Sequence, residues 1–162
     1  MVKKIVFNPD KCTGCRICML ECAVSHGDGN VIDYFKSRIR IRTNKEKIIQ
    51  VAGVCVQCDE RYCIDACPCG AITIDARLGT IKISESLCRR CGACAKACPY
   101  NGISVVEKDK VIACDLCGGD PACVKWCPTK AITYMEITGE NLSEVERLHE
   151  KMIELNKEVY SP

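Results

Sequence analysis

The chain has 162 residues, a formal net charge of +2 and 17 Cys, about one residue in ten. Its 48% hydrophobic content falls to about 38% without Cys, and the aromatics are two Phe, five Tyr and one Trp. This composition excludes one large hydrophobic core and predicts several small cores held by disulfides or metal. A weak net charge and few aromatics for base stacking also exclude nucleic acid as a partner.

Residues 1–10 have a basic start but only three consecutive apolar residues, Ile5, Val6 and Phe7, far short of a signal-peptide core. No stretch approaches the roughly 18 apolar residues of a membrane span. The expectation is a cytoplasmic protein without a membrane span, whose thiols stay reduced and bind metal.

In chain order, residues 4–7 predict a short strand, followed by Cys12, Cys15, Cys18 and Cys22 in the spacing C-x2-C-x2-C-x3-C. Residues 23–54 form a basic insertion in which Arg38-Ile39-Arg40-Ile41-Arg42 alternates strictly, as a strand with one charged face does. Between residues 36 and 47, Lys36, Arg38, Arg40, Arg42, Lys45 and Lys47 are opposed by Glu46 alone. A solvated face, a docking surface and compensation of buried anions all fit that run. The second group, Cys55, Cys58, Cys63 and Cys67, is spaced C-x2-C-x4-C-x3-C. Strands at 71–74 and 80–83, turning at Gly79, lead to the third, Cys88, Cys91, Cys94 and Cys98, which repeats the first spacing. A strand at 103–106 precedes Cys114, Cys117, Cys123 and Cys127, spaced C-x2-C-x5-C-x3-C, and a strand at 131–134 follows. Each C-x3-C predicts a helical turn, and Pro68, Pro99 and Pro128 close the last three groups. Residues 141–160 predict a helix with a capping box from Ser143 to Glu146 and an apolar stripe of Val145, Leu148, Met152, Leu155 and Val159.

C-x2-C-x2-C-x3-C-P is the bacterial ferredoxin signature for a [4Fe–4S] cluster. Three thiolates wrap one cubane corner, while the fourth lies about 6 Å further along a helix and serves a different cluster. Zinc, the main rival, usually takes two separated C-x2-C pairs and fits four such quartets poorly. Groups two and three, with the two strands between them, already form a complete two-cluster ferredoxin, and groups one and four bring the outer strands of a second. The expected pairing is therefore nested. Cluster A takes Cys12, Cys15, Cys18 and Cys127; cluster B takes Cys114, Cys117, Cys123 and Cys22. Cluster C takes Cys55, Cys58, Cys63 and Cys98; cluster D takes Cys88, Cys91, Cys94 and Cys67.

The predicted fold class is α+β: tandem bacterial-ferredoxin-like modules, one nested in the other, with short β-hairpins and short helices, plus a C-terminal helix. The outer module comprises 1–22 and 107–137, the basic β insertion 23–54, the inner module 55–106 and the helical tail 138–162. Four clusters, each about −2 oxidised and about −3 reduced with its thiolates, bring the charge to about −6 and about −10.

The four-group pattern over 1–137 resembles the iron–sulfur subunits of the dimethyl-sulfoxide-reductase type, and the four-cluster ferredoxin subunits of hydrogenases and carbon monoxide dehydrogenase. That resemblance implies nested pairing and clusters in a line. Cys12-Thr13-Gly14-Cys15-Arg16-Ile17-Cys18, Ser37-Arg38-Ile39-Arg40 and 114–121 are similar to the small iron–sulfur subunit of tungsten aldehyde ferredoxin oxidoreductases. Group one departs from the pattern with Cys22-Ala23 in place of Cys-Pro, and the tail lies outside it. No G-x-G-x-x-G, P-loop or H-E-x-x-H accompanies the cysteines, so the chain is expected to be an electron-transfer subunit, not an enzyme by itself. The implied partners are a larger catalytic subunit of the tungsten- or molybdenum-pterin type and a soluble ferredoxin or another redox subunit. Hydrogenase or carbon monoxide dehydrogenase is the alternative partner, and a free polyferredoxin the alternative class. Cys69, outside the quartets, is expected to pack as a small apolar residue. Trp126 fits cluster shielding or ordinary packing, and His26, in a Gly/Asp loop, is expected to be solvent-exposed.

Overall fold

The computed structural model describes residues 3–29, 32–44, 46, 48–106 and 110–160. Its strands are β1 (Lys3–Phe7), β2 (Arg40–Asn44), β3 (Ile49–Gly53), β4 (Ile72–Ile74), β5 (Ile81–Ile83), β6 (Ile103–Val106), β7 (Lys110–Ala113) and β8 (Ile132–Glu136). Its α-helices are α1 (Ile17–Ser25), α2 (Tyr62–Asp65), α3 (Ala93–Ala97), α4 (Ala122–Lys125) and α5 (Leu142–Tyr160). The strands form four antiparallel pairs, β1·β8, β2·β3, β4·β5 and β6·β7. The first joins the two ends of the cysteine-bearing region, running from Lys3↔Glu136 to Phe7↔Ile132. Each of the other pairs fills the interval between successive cysteine groups. Strands β3 and β7 were not foreseen from sequence, and the β6·β7 pair straddles the expected 106/107 boundary.

Helix lengths follow the prolines. Cys98, ahead of Pro99, caps α3 in extended geometry (φ −79°, ψ 111°), because a residue before Pro is pushed out of the helical region. Helices α2, α3 and α4 are accordingly four or five residues long. With Ala23 after Cys22, α1 continues to Ser25 and spans nine residues, reaching into the expected insertion.

The apolar residues form separate clusters, as composition predicts. The largest includes Ile5, Phe7, Ile39, Ile41, Leu116, Ile132 and Met152, together with Cys22, Cys114, Cys123 and Cys127. A second joins Ile72, Ile81 and Ile103 to Cys63 and Cys94. A third is Val6 with Val145 and Leu148 of α5. The α5 stripe thus docks on its own chain, against β1, β2 and β3. Buried Asn156 fixes it there by donating to the Ala52 carbonyl at 3.3 Å, and Lys151 pairs with Asp10 at 2.5 Å. Ser143 sits inside the first turn of α5 and does not cap it. The capping position falls to Asn141, whose carbonyl accepts the Val145 N–H at 3.0 Å and whose side chain bonds Thr138 N–H and the Glu136 carbonyl.

The alternation at 38–42 yields a strand starting at Arg40, with Ile39 and Ile41 buried. Its bases are engaged. Arg38 faces Asp115 at 3.4 Å, and the Arg40 guanidinium donates to the carbonyls of Ser37, Ile39 and Phe35. Lys45 and Lys47 lie outside the described residues.

Candidate metal centres

All four cysteine groups share a backbone device. The residue before the second Cys of each C-x2-C is left-handed: Gly14 (φ 71°), Gln57 (52°), Arg90 (57°) and Leu116 (58°). For a non-glycine residue this conformation costs about 1 kcal/mol or more, and the tight turn it makes turns both thiols to one side. Gln57 is buried and pins its loop, accepting the Ile5 N–H at 3.0 Å and donating to the Cys55 carbonyl at 2.7 Å. After the last Cys of groups two, three and four, a second left-handed residue recurs: Gly70 (58°), Asn101 (48°) and Lys130 (54°). The next N–H then turns back onto sulfur, Ala71 to Cys67 Sγ and Gly102 to Cys98 Sγ, both at 3.3 Å. Gly102 is dictated by crowding, since a Cβ there would lie 2.5 Å from the Cys55 nitrogen. The shared Pro-x-x-small-Ile frame was the only trace of this turn in the sequence.

The thiols act on one another in sets that mix the groups. Burial, then the charges of Cys127 and Cys15, raises the Cys12 pKa; burial and Cys12, Cys15 and Cys127 push Cys18 up to about 12. Burial drives Cys55 to about 12 and Cys63 to about 11, with Cys98 and Cys58 adding to both. Burial also raises Cys94, helped by Cys67 and Cys88. Buried Cys114 is raised, through desolvation first, and Cys123 and Cys117 rise for the same reason; Cys22 adds to all three. Burial would raise Cys127 too, but the N–H of Ile132, the Thr129 hydroxyl and the N–H of Ala131 outweigh it and lower its pKa. Cys67 is lowered by backbone N–H groups, Ala71 first.

Three couplings run between sets: Cys18 with Cys123, Cys55 with Cys114, and Cys63 with Cys94. Cys91 and Cys15 are the exposed cysteines. Cys91 lines a small apolar hollow with Cys67, Cys88 and Cys94, and Cys69 borders the same hollow. Such sets of soft sulfur donors, whose crowded thiolates are costly unless a bound cation offsets their charge, with N–H groups aimed at Cys67 and Cys98 sulfur, fit thiolate-bound iron–sulfur clusters.

His26 corrects the sequence reading. Its side chain is only 13% exposed, and it bridges α1 to the fourth group. Nδ1 donates to the Cys22 carbonyl at 2.7 Å and Nε2 meets Asp115 Oδ1 at 3.1 Å. Asp115 also accepts the Cys117 N–H at 3.0 Å, and the Arg38 N–H donates to Cys22 Sγ at 3.1 Å. Only the i, i+4 offset from Cys22 hinted at this strut. Trp126 is 61% exposed, so it does not pack in the interior.

Residues 47–137 match the 4Fe-4S dicluster domain family, and residues 4–27 match a 4Fe-4S binding domain family. The chain belongs to the 4Fe-4S dicluster family. It is a ferredoxin-type, iron–sulfur electron-transfer protein, and its relatives are named as electron-transport proteins or as subunits of oxidoreductases. The polyferredoxin-like subunit of an aliphatic sulfonate oxidoreductase from Pyrococcus furiosus is 40% identical over 118 residues, 72% of this chain and 66% of that one, just under two thirds of its length. The electron transport protein HydN of Escherichia coli strain K12 is 32% identical over 136 residues, 72% of this chain and 77% of HydN. Among solved structures, a chain of the active-site complex BamBC of benzoyl coenzyme A reductase, with benzoyl-CoA, superposes with a TM-score of 0.50 at 26% identity, covering 93% of this chain and 90% of that one. No helix of this ferredoxin-type protein, among the described residues, is long and apolar enough to cross a membrane.

Proposed function

We propose that this chain holds four [4Fe–4S] clusters in a line and relays single low-potential electrons between a catalytic oxidoreductase subunit and an external carrier in the cytoplasm. When bound, each cluster supplies a one-electron site. The ligands are nested: Cys12, Cys15, Cys18 and Cys127; Cys22, Cys114, Cys117 and Cys123; Cys55, Cys58, Cys63 and Cys98; Cys67, Cys88, Cys91 and Cys94. The observation that carries this reading is the position of each fourth cysteine. Cys127 acts on Cys12 and Cys18, Cys22 on Cys114 and Cys123, Cys98 on Cys55 and Cys63, and Cys67 on Cys94. The inter-set couplings support the order in which the sets are named. The β1·β8 pair supports an outer module made from both ends of the chain.

The catalytic partner is a tungsten- or molybdenum-pterin oxidoreductase acting on aldehydes, a reading that rests on the motif resemblance of 12–18, 37–40 and 114–121. The test is metal analysis of the complex isolated anaerobically from its native source. Tungsten or molybdenum co-eluting with about 16 iron per chain supports it; nickel moves the partner to hydrogenase or carbon monoxide dehydrogenase. Iron alone, with a lone species near 17.9 kDa, makes the chain a free polyferredoxin. One observation favours that second reading: the α5 stripe packs on the chain's own β1, β2 and β3, with Val145, Leu148, Met152 and Leu155 buried.

A further inference from the structure

The outermost cysteine of the fourth ligand set, Cys91, is exposed, and its loop reads Cys88-Arg89-Arg90-Cys91 with both Arg side chains exposed. Neither guanidinium meets an acidic side chain among the described residues. The acids closest in sequence on this edge are already engaged, Asp75 by Lys82 at 2.6 Å and Glu85 by Lys110 at 3.0 Å. Exposed Lys96 of α3 adds positive charge; exposed Asp65 of α2 is the one acid on the helix that packs against α3. Leu87, 54% exposed, provides an apolar contact beside the arginines. Arg90 occupies the left-handed position at which group one uses Gly14. A charged side chain is therefore held there at a backbone cost that glycine would avoid.

We propose that this rim, Arg89 and Arg90 beside Cys91 with Leu87 at its edge, is the docking surface for a small acidic electron-carrier protein that has its own iron–sulfur cluster. The proposal rests on the electron-transfer reading above. Two exposed guanidiniums attract a carboxylate-rich surface and orient it by forked hydrogen bonds. A small interface of this kind gives fast, salt-sensitive, short-lived association. The opposite end of the line differs. Cys15 is exposed there beside one exposed arginine, Arg16, in place of two.

The test is isothermal titration of the anaerobically purified holoprotein with a small acidic two-cluster ferredoxin, at low and at high ionic strength. Binding that weakens with salt is expected, with affinity reduced about tenfold or more in R89E/R90E, a smaller loss in R89Q/R90Q and none in R16E. Affinity unchanged in R89E/R90E, equal loss in R16E, or no salt dependence would overturn the surface. EPR spin counts after dithionite reduction of the same samples separate the two readings. Wild type that binds the carrier but takes up no electrons would defeat the relay and leave the docking surface standing. Variants that match the wild-type spin count show that any lost binding is not lost folding.

Discussion

Gly102→Ala tests the claim that the exit of group three and the entry of group two are locked backbone against backbone. A Cβ at 102 would sit 2.5 Å from Cys55 N, 2.6 Å from Cys55 Cα and 2.7 Å from the Val54 carbonyl carbon. Ordinary contact begins near 3.4 Å, so one strand of chain must move by about 1 Å. None of the three atoms belongs to a side chain that could swing aside. Overpacking costs about 1–3 kcal/mol in general, and the rigid surroundings put this site at about 3 kcal/mol. For a chain of this size that lowers the melting temperature by about 6–12 °C. Gly70→Ala is the matched control. It has a left-handed φ of 58° but nothing within 4 Å of its Cβ, so only backbone strain of about 1–2 kcal/mol applies. Anaerobic thermal unfolding followed by loss of visible cluster absorbance reads both variants. Gly102→Ala melting within about 2 °C of wild type, or above Gly70→Ala, would refute the packing argument.

Cys22→Ser should alter the EPR signature of the cluster held by Cys114, Cys117 and Cys123; a change confined to the Cys12 set would overturn the nested ligation. Met152→Ala empties a position 1% exposed in the main core and should cost about 2–5 kcal/mol. Glu154→Ala on the exposed side of the same helix should stay within about 0.5 kcal/mol, and equal melting of the two would deny that α5 is docked through its stripe. His149 lies against Tyr100, with ring centroids 5.6 Å apart, and faces Lys4, Asp59, Glu60, Glu146 and Glu150 across a cleft. Burial, its largest influence, lowers its pKa below the ordinary 6.5. The folded state therefore holds it neutral, and its contribution is complete above pH 6.5 and lost as pH falls through the lowered value. Unfolding measured from pH 8 to pH 5.5 should show wild type weakening at the acidic end more than His149→Phe; parallel curves would deny the effect.

Legibility in the sequence followed the range of the interaction. Strands at 4–7, 71–74, 80–83, 103–106 and 131–134 were readable because β-branched residues sit between turn formers, and α5 because its stripe has a helical period. Strand β7 escaped because Lys110 to Ala113 is short and follows the charged run 107–109. Strand β3 escaped because Ile49-Gln50-Val51-Ala52-Gly53 alternates weakly and ends in Gly. The cysteines were visible as ligand types. What positions them was not: the left-handed turns at Gln57, Arg90 and Leu116 fall on residues that carry no turn signal, and at Gln57 only the fold supplies the hydrogen bonds that hold the turn. His26 and Asp115 lie 89 residues apart, so their bridge existed in no local window.

If the proposed ligation holds, the C-x3-C step gives the four ligand sets one reason to fall into a row. In the proposed ligation the two thiols of each such pair, on or beside a short helix and offset by about 6 Å along it, go to neighbouring clusters. Helix α1 carries Cys18 and Cys22, and α4 carries Cys123, with Cys127 just past its cap Trp126; these two helices pack together, as do α2 and α3. In the proposed pairing, such packing exchanges one ligand each way and ties two clusters into a module. The two proposed modules then need only one contact between them, and Cys55, whose charge acts on buried Cys114, supplies it. On this argument the buried middle belongs to electron passage within the protein and the exposed ends, at Cys15 and Cys91, to exchange with others. Cys91→Ser should therefore slow exchange with the external carrier while leaving exchange at the Cys15 end intact. Stopped-flow reduction by an acidic ferredoxin measures the first and reaction with the catalytic partner the second; equal slowing of both would show that the row has no separate ends.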